Sequence, residues 1–179
     1  MSILLGIVAG IATLIVLILI IALFVKKDYA IRREIVINEP VQKVFDYIKY
    51  IKNQDNYSVW NKIDPAMQKT YSGTDGTVGF TYAWDSTNKK AGKGEQKITG
   101  LKEGEKMDMA LHFIKPFEGL ADAYMTTTGL SAGQTKVGWG LSSKMNYPMN
   151  IMLLFMNMEN MLGKDLSAGL ENLKTILEK

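Results

Sequence analysis

The sequence predicts an α+β fold, a curved antiparallel sheet covered by a long C-terminal helix, behind a single transmembrane helix. Three observations carry this expectation. From Ile3 to Val25 there is no charged residue and no proline. Between Met67 and Met145 apolar residues recur with a period of two in short runs separated by turn residues. After Pro148 the apolar spacing changes to three and four.

The N-terminal run exceeds the ~18 apolar residues that mark a membrane span, and at ~1.5 Å per residue it crosses a hydrocarbon core of ~30 Å with some tilt. A cleaved signal peptide fits less well. The run is too long for an h-region, Met1-Ser2 supplies no basic n-region, and Lys26-Lys27 follow without a small-residue cleavage motif. We therefore divide the chain into an anchor with its basic flank, 1–27, and a folded domain, 28–179. Lys26, Lys27, Arg32 and Arg33 crowd the C-terminal flank of the run, and its N-terminal flank carries no basic side chain. The positive-inside rule then predicts a single-pass membrane protein with its domain in the cytoplasm. The net charge of +3 also resolves: setting those four residues aside leaves 17 of the 21 basic side chains against 18 acidic ones. The basic excess sits beside the membrane, where it attracts anionic lipid. No basic stripe runs through the rest of the chain, so a nucleic-acid partner is not expected. Gly6 and Gly10 form a G-x-x-x-G, a packing face on which a homodimer can pair through the transmembrane helix. The absence of cysteine excludes disulfides and thiolate metal sites.

Beyond the anchor, Ile31 to Ile37 reads as a strand. Asn38-Glu39-Pro40 reads as a helix start, with a capping side chain and a proline in the first turn. Val41, Val44, Phe45, Ile48 and Ile51 then predict an amphipathic helix of about three turns. Residues 53–65 are polar and broken, with room for a short second helix near Tyr57 and Trp60. Strands follow at Phe80-x-Tyr82-x-Trp84, at Met107 to Phe113, at Leu120 to Leu130 and at Thr135 to Met145. Turn residues lie between them, among them Ser72-Gly73, Asp75-Gly76, Glu103-Gly104 and Ala132-Gly133. Short strands joined by tight turns predict an antiparallel meander. From Pro148 a helix of about thirty residues is expected, with Phe155, Met158, Leu162, Leu166, Leu170, Leu173 and Leu177 as its stripe.

This order of elements resembles the START/Bet v 1-like (SRPBCC) superfamily, the helix-grip fold of the polyketide cyclase/dehydrase and lipid-transport group. Glu39-Pro40-Val41-Gln42-Lys43-Val44-Phe45 resembles that family's entry to its first helix. Ser58-Val59-Trp60-Asn61 with Asp64-Pro65 resembles its following Trp/Pro segment. Gly129 to Trp139 resembles its Gly-T-x-V-x-W strand, and Gly169-Leu170-Glu171-Asn172-Leu173-Lys174 its closing helix. The likeness covers about residues 30–178, and the membrane span lies outside it. It implies a sheet gripping the long helix around an apolar cavity, in which members bind sterols, phospholipids, hormones or polyketides and some catalyse.

The sequence offers little for catalysis. His112 is the only histidine and alternates out of register with Met109, Leu111 and Phe113, which directs it away from a cavity. Neither a nucleophilic triad nor a histidine zinc site is supported, so catalytic groups, metal and cofactor are expected to be none. Asp122 is the carboxylate to watch, because it is expected on one face with Leu120 and Tyr124. The apolar inventory is larger. The candidate ligand-binding residues are Trp60; Phe80, Tyr82 and Trp84; Met109, Leu111 and Phe113; Tyr124 and Trp139; and, on the last helix, Met152 and Met156. Each also fits ordinary core packing. Eleven methionines add an adaptable lining. The run Ile151 to Met156 is apolar around its whole circumference, more than one sheet-facing stripe requires, so its surplus face must meet a cavity mouth, a partner or the bilayer.

The expected function is a membrane-tethered domain binding a hydrophobic, lipid-like ligand in an internal cavity. The alternatives are a cyclase/dehydratase-type enzyme on an apolar ligand and a non-catalytic interaction or stress-response module with a filled cavity. The orientation is directly testable. A reporter fused after Lys179 will be active in the cytoplasm, and reversing Lys26, Lys27, Arg32 and Arg33 to acidic residues will weaken that preference; activity confined to the far side refutes it.

Overall fold

The computed structural model describes residues 2–179, with side chains from Ile3 onward; Met1, which opens the expected anchor, lies outside the described residues. The apolar run forms one helix, α1 (Ser2–Phe24), whose side chains are almost all exposed. It is long and apolar enough to cross a membrane, with a mean hydropathy of 3.2 and little of it buried. A core helix of a globular protein would bury such a surface, and α1 does not. Only residues 25–27 separate it from strand β1 (Asp28–Ile37).

Helix α2 (Val41–Ile48) buries Val44, Phe45 and Ile48. Its start differs from the expected one. Pro40 is the N-cap and no side chain caps it. Asn38 is engaged elsewhere: its N–H donates to the Glu178 carboxylate at 2.6 Å, and its side chain accepts from Gln134. The helix also stops after two turns. Tyr50 is extended, and a 3₁₀ turn (Ile51–Asn53) leads into α3 (Gln54–Tyr57). The break is set by a distant residue, because the Asp75 carboxylate accepts from the N–H groups of Ile51 (2.9 Å) and Lys52 (3.1 Å). Two orphan donors are satisfied where the helix restarts. Gly76, at φ +77°, lets this turn press on the Tyr50 ring, where a Cβ would lie 2.9 Å from it.

Strands β2 (Gln68–Ser72), β3 (Thr81–Asp85), β4 (Lys93–Lys102), β5 (Lys106–Lys115), β6 (Gly119–Ser131) and β7 (Gln134–Lys144) form the predicted meander. With β1 they make one seven-stranded antiparallel sheet in the order β1-β7-β6-β5-β4-β3-β2. Irregularities in β4 next to Gly94 and before Gly100 bend it against β5, as bulges do. The described structure is thus a helix-grip fold with an added N-terminal helix.

The last element corrects the expected thirty-residue helix. Met149–Leu154 forms a separate 3₁₀ turn, and α4 (Met158–Leu177) begins anew with 20 residues. Asn157 makes the restart by accepting from the N–H of Asn160 at 2.9 Å, a side-chain cap that competes with a continuous helix. Leu166, Leu170 and Leu173 of α4 are fully buried against the sheet.

Helix and sheet approach closely at Trp139. Its indole meets Tyr57 edge-on at 5.6 Å and Trp60 at 5.8 Å, and a Cβ on Gly169 of α4 would sit 2.7 Å from its ring. Trp139 is held on three sides and cannot retreat. Gly169→Ala will therefore lower stability in urea unfolding by about 1–2 kcal/mol, despite the ~1 kcal/mol alanine gains over glycine within a helix. Gly133→Ala, with open space around it, will stay within ~0.5 kcal/mol; an unchanged midpoint for Gly169→Ala would show that the indole is free to move.

The C-terminal end of α4 is fastened by Glu178. The Asn38 N–H, and then Lys174, hold its carboxyl below the usual carboxylate range. A depressed folded-state pKa stabilises at neutral pH and is lost as pH falls through the folded value. Glu178→Gln will remove that increment, so the stability difference between wild type and variant will shrink from neutral pH to about pH 3. A difference independent of pH argues against a charged contact.

Candidate functional site

Ten of the eleven sequence-predicted lining residues fall into three groups. Phe80, Tyr82, Met109 and Trp139 lie in the core. Trp60, Trp84, Leu111 and Phe113 are half-buried at its margin. An aromatic file runs along the inner face from Tyr82 to Trp84 (centroids 5.7 Å apart) and on to Phe113 (6.1 Å). Trp84 lies over Gly94 and donates its indole N–H to the carbonyl of Ala91 at 3.0 Å. Burial pushes the Tyr57 and Tyr82 phenols well above their ordinary range, so both stay neutral. Their hydroxyls meet methionine sulfurs, Tyr57 that of Met125 and Tyr82 that of Met67.

Tyr124, the eleventh, belongs to none of them. In β6 the buried positions are Ala121, Ala123, Met125 and Thr127, so Leu120, Asp122 and Tyr124 point to the outer face. The expected inward placement of Tyr124 is therefore wrong by one residue of strand register. The bulky residues of this strand suggested one parity, but the inner face uses small alanines where the core is crowded. Tyr124 instead covers Gly140 on the outside, with the Lys106 ammonium 5.5 Å from its ring. Asp122 moves with it to an exposed outer position. His112 does point outward, 3.3 Å from Glu118 and 3.9 Å from Glu95. Among the described residues no group of three His, Asp or Glu side chains is arranged to hold a metal ion.

Met152 and Met156 form the third group. They are not on α4 and do not face the space between helix and sheet. They lie at the end of the sheet nearest α1, where two cavities open. The larger, of 1370 Å³, runs between Phe113, the β5–β6 turn at Phe117, and Met149, Met152 and Met156. The smaller, of 730 Å³, lies between Phe24 at the end of α1 and Leu153, Leu154 and Met156. Asp28, Tyr29 and Met156 border both. The carboxylates of the larger cavity, Asp28, Glu118 and Asp122, are all exposed.

One residue that sequence reasoning missed organises this end. The Asn150 side chain is fully buried, and its amide donates to the carbonyls of Ala22 (2.7 Å) and Val25 (2.9 Å). It thereby caps the C-terminal end of α1 from 128 residues away in sequence. Its Oδ1 is buried without a partner. The available signal was the amide of Asn150 directly before the apolar run Ile151 to Met156. Nearby, the Met145 N–H donates to the Lys27 carbonyl at 2.9 Å. The basic flank also divides. Lys26 and Lys27 are exposed, whereas Arg32 pairs with Glu34, and Arg33 turns inward beneath Gly163 to pair with Glu159 at 2.5 Å.

No family model and no curated protein matches the chain. Solved structures do. Norcoclaurine synthase from Thalictrum flavum, in complex with dopamine and hydroxybenzaldehyde, superposes with a TM-score of 0.63 at 8% identity, covering 88% of this chain and 91% of its own. A structural-genomics protein from Nitrosospira multiformis gives 0.60 at 13% identity, covering 83% and 96%. The Aha1 dimer from Colwellia psychrerythraea gives 0.57 at 15%, covering 84% and 96%. These likenesses define the class, a helix-grip fold shared with Bet v 1-like proteins. At such identities they establish shape alone.

Proposed function

We propose that this chain is a membrane-anchored helix-grip protein that takes up an apolar, lipid-like molecule at the end of the sheet nearest its span. The larger cavity is the observation that supports this reading most. Its volume of 1370 Å³ exceeds the ~300–1,000 Å³ of ordinary small-molecule pockets and suits a ligand with a long apolar part. Met149, Met152 and Met156 border it, and unbranched thioether side chains repack around varied ligands. Ser142, Ser143 and Lys144 offer a polar rim for a headgroup. Centrally, Trp139 is clamped between Tyr57, Trp60 and α4, which moves uptake away from the middle of the sheet. The carboxylates at the rim are exposed, which favours binding over acid–base chemistry, because catalytic carboxyls are tuned by burial.

Native mass spectrometry of the full chain, extracted in mild detergent, tests this. Wild type will carry a lipid-mass adduct, and Met156→Asp, which brings a charge into the apolar mouth, will reduce its occupancy by about tenfold. A wild-type protein that is lipid-free after gentle extraction, or an adduct indifferent to Met156→Asp, rejects the reading.

A further inference from the structure

The 3₁₀ turn Met149–Leu154 carries exposed apolar surface that the helix–sheet core does not use. Phe155, just after it, is 84% exposed, and Phe117 on the β5–β6 turn is 76% exposed. Both stand at the same end of the sheet as Phe24, the last residue of α1, which is 86% exposed. An apolar patch of this kind marks an interaction surface, and its position indicates the occupant. Asn150 binds the turn to the carbonyls of Ala22 and Val25, within the last turn of α1 and just past it. A segment hydrogen-bonded there lies at the depth where α1 leaves the bilayer. Lys26 and Lys27 follow α1, and Lys115 and Lys144 end β5 and β7 on the same side. Asp28, Glu118 and Asp122 share this rim, Asp28 paired with Lys144 at 3.4 Å, so it is the apolar surface, flanked by Lys26 and Lys27, that matches the chemistry of a lipid interface.

We infer that Met149–Phe155 and the Phe117 turn lie in the headgroup region of the leaflet where α1 ends, held there by Asn150, so that the cavity between them opens into lipid. This rests on α1 as a membrane span, and it deepens the proposed function by locating the route of ligand entry. Asn150 is a positioning residue here. Its two donated hydrogen bonds replace what water would otherwise give the carbonyls ending α1, at a depth where water is scarce. The short connection of residues 25–27 together with this clamp leaves the sheet little freedom to tilt away.

The chain has no cysteine, so single-cysteine labelling is unambiguous. Full-length Ile11→Cys, Phe117→Cys, Phe155→Cys and Leu130→Cys proteins are labelled with an environment-sensitive fluorophore. They are then reconstituted in vesicles of neutral and anionic phospholipid with no other protein. Leu130 is exposed beside the β6–β7 turn, at the opposite end of the sheet, and reports bulk water. Labels at Phe117 and Phe155 will be quenched by an aqueous quencher about fivefold less than the label at Leu130, and the label at Ile11 will be fully shielded. If Ile11 is shielded but Phe117 and Phe155 are as wet as Leu130, the interfacial placement is wrong and a protein partner is the better occupant of the patch. If Ile11 is itself wet, the span fails and this inference fails with it. Asn150→Ala will raise quenching at Phe155 about twofold or more with Ile11 unchanged; no change overturns the clamp. Shielded labels on a protein that carries no lipid adduct would remove the ligand reading and leave the docking intact.

Discussion

Helix α4 packs along β1 and meets β7 where the Trp139 indole lies against Gly169, and this packing joins helix to sheet. The indole is large and rigid, and α4 approaches closely because no side chain stands at Gly169. Tyr57 and Trp60 fill the remaining sides and tie the irregular segment after α2 to the same point. Around it Leu166, Leu170 and Leu173 remove their surface from water, each side chain stabilising by roughly 1.5–3 kcal/mol. A second glycine, Gly163, lets the inward Arg33 lie beneath α4 and reach Glu159. Two small residues on one helix thus set how close α4 lies to β1 and β7.

Two cavities open at the end of the sheet beside α1. That end is built from remote pieces: the start of β1, the β5–β6 turn, the end of β7 and the 3₁₀ turn before α4. Asn150 holds the 3₁₀ turn to the end of α1, leaving a buried carbonyl oxygen without a partner. An unsatisfied buried acceptor is unfavourable by roughly 1–3 kcal/mol. Its retention fits a residue whose amide protons are needed for joining two parts of the chain. In the proposed function this joint sets both the orientation of the sheet at the membrane and the direction in which its cavity opens.

The structural neighbours share the shape at 8–15% identity. A sheet of this curvature and one covering helix tolerate wide changes in side chain so long as the alternation and the helical stripe survive. The same latitude explains why likeness of fold carries so little about ligand. In this chain α1, Asn150 and the methionines around the cavity concentrate at one end of the sheet, where loops and turns meet.

Much of the fold was legible in the sequence because it depends on local periodicity. The uninterrupted apolar run defines α1, period two defines the strands from Thr81 onward, and three-and-four spacing defines α4. The outward direction of His112 followed from the same alternation. What the sequence left undecided depends on contacts between distant residues. Asp75 splits the helix after Ile48 by capping Ile51 and Lys52, and Asn157 divides the C-terminal helix that the stripe alone made continuous. Tyr124 points outward because small alanines take the crowded inner positions of β6, a choice made by the volume of the opposing layer and invisible in one strand. The candidate site was legible only in its chemistry: aromatic and methionine side chains named the apolar lining, but Met152 and Met156 left the expected helix face for the end of the sheet. Periodicity reports which face of an element is buried. The place where α1, β1, β5, β7 and the 3₁₀ turn converge is a property of the packed chain, because it is fixed by hydrogen bonds between residues more than a hundred positions apart.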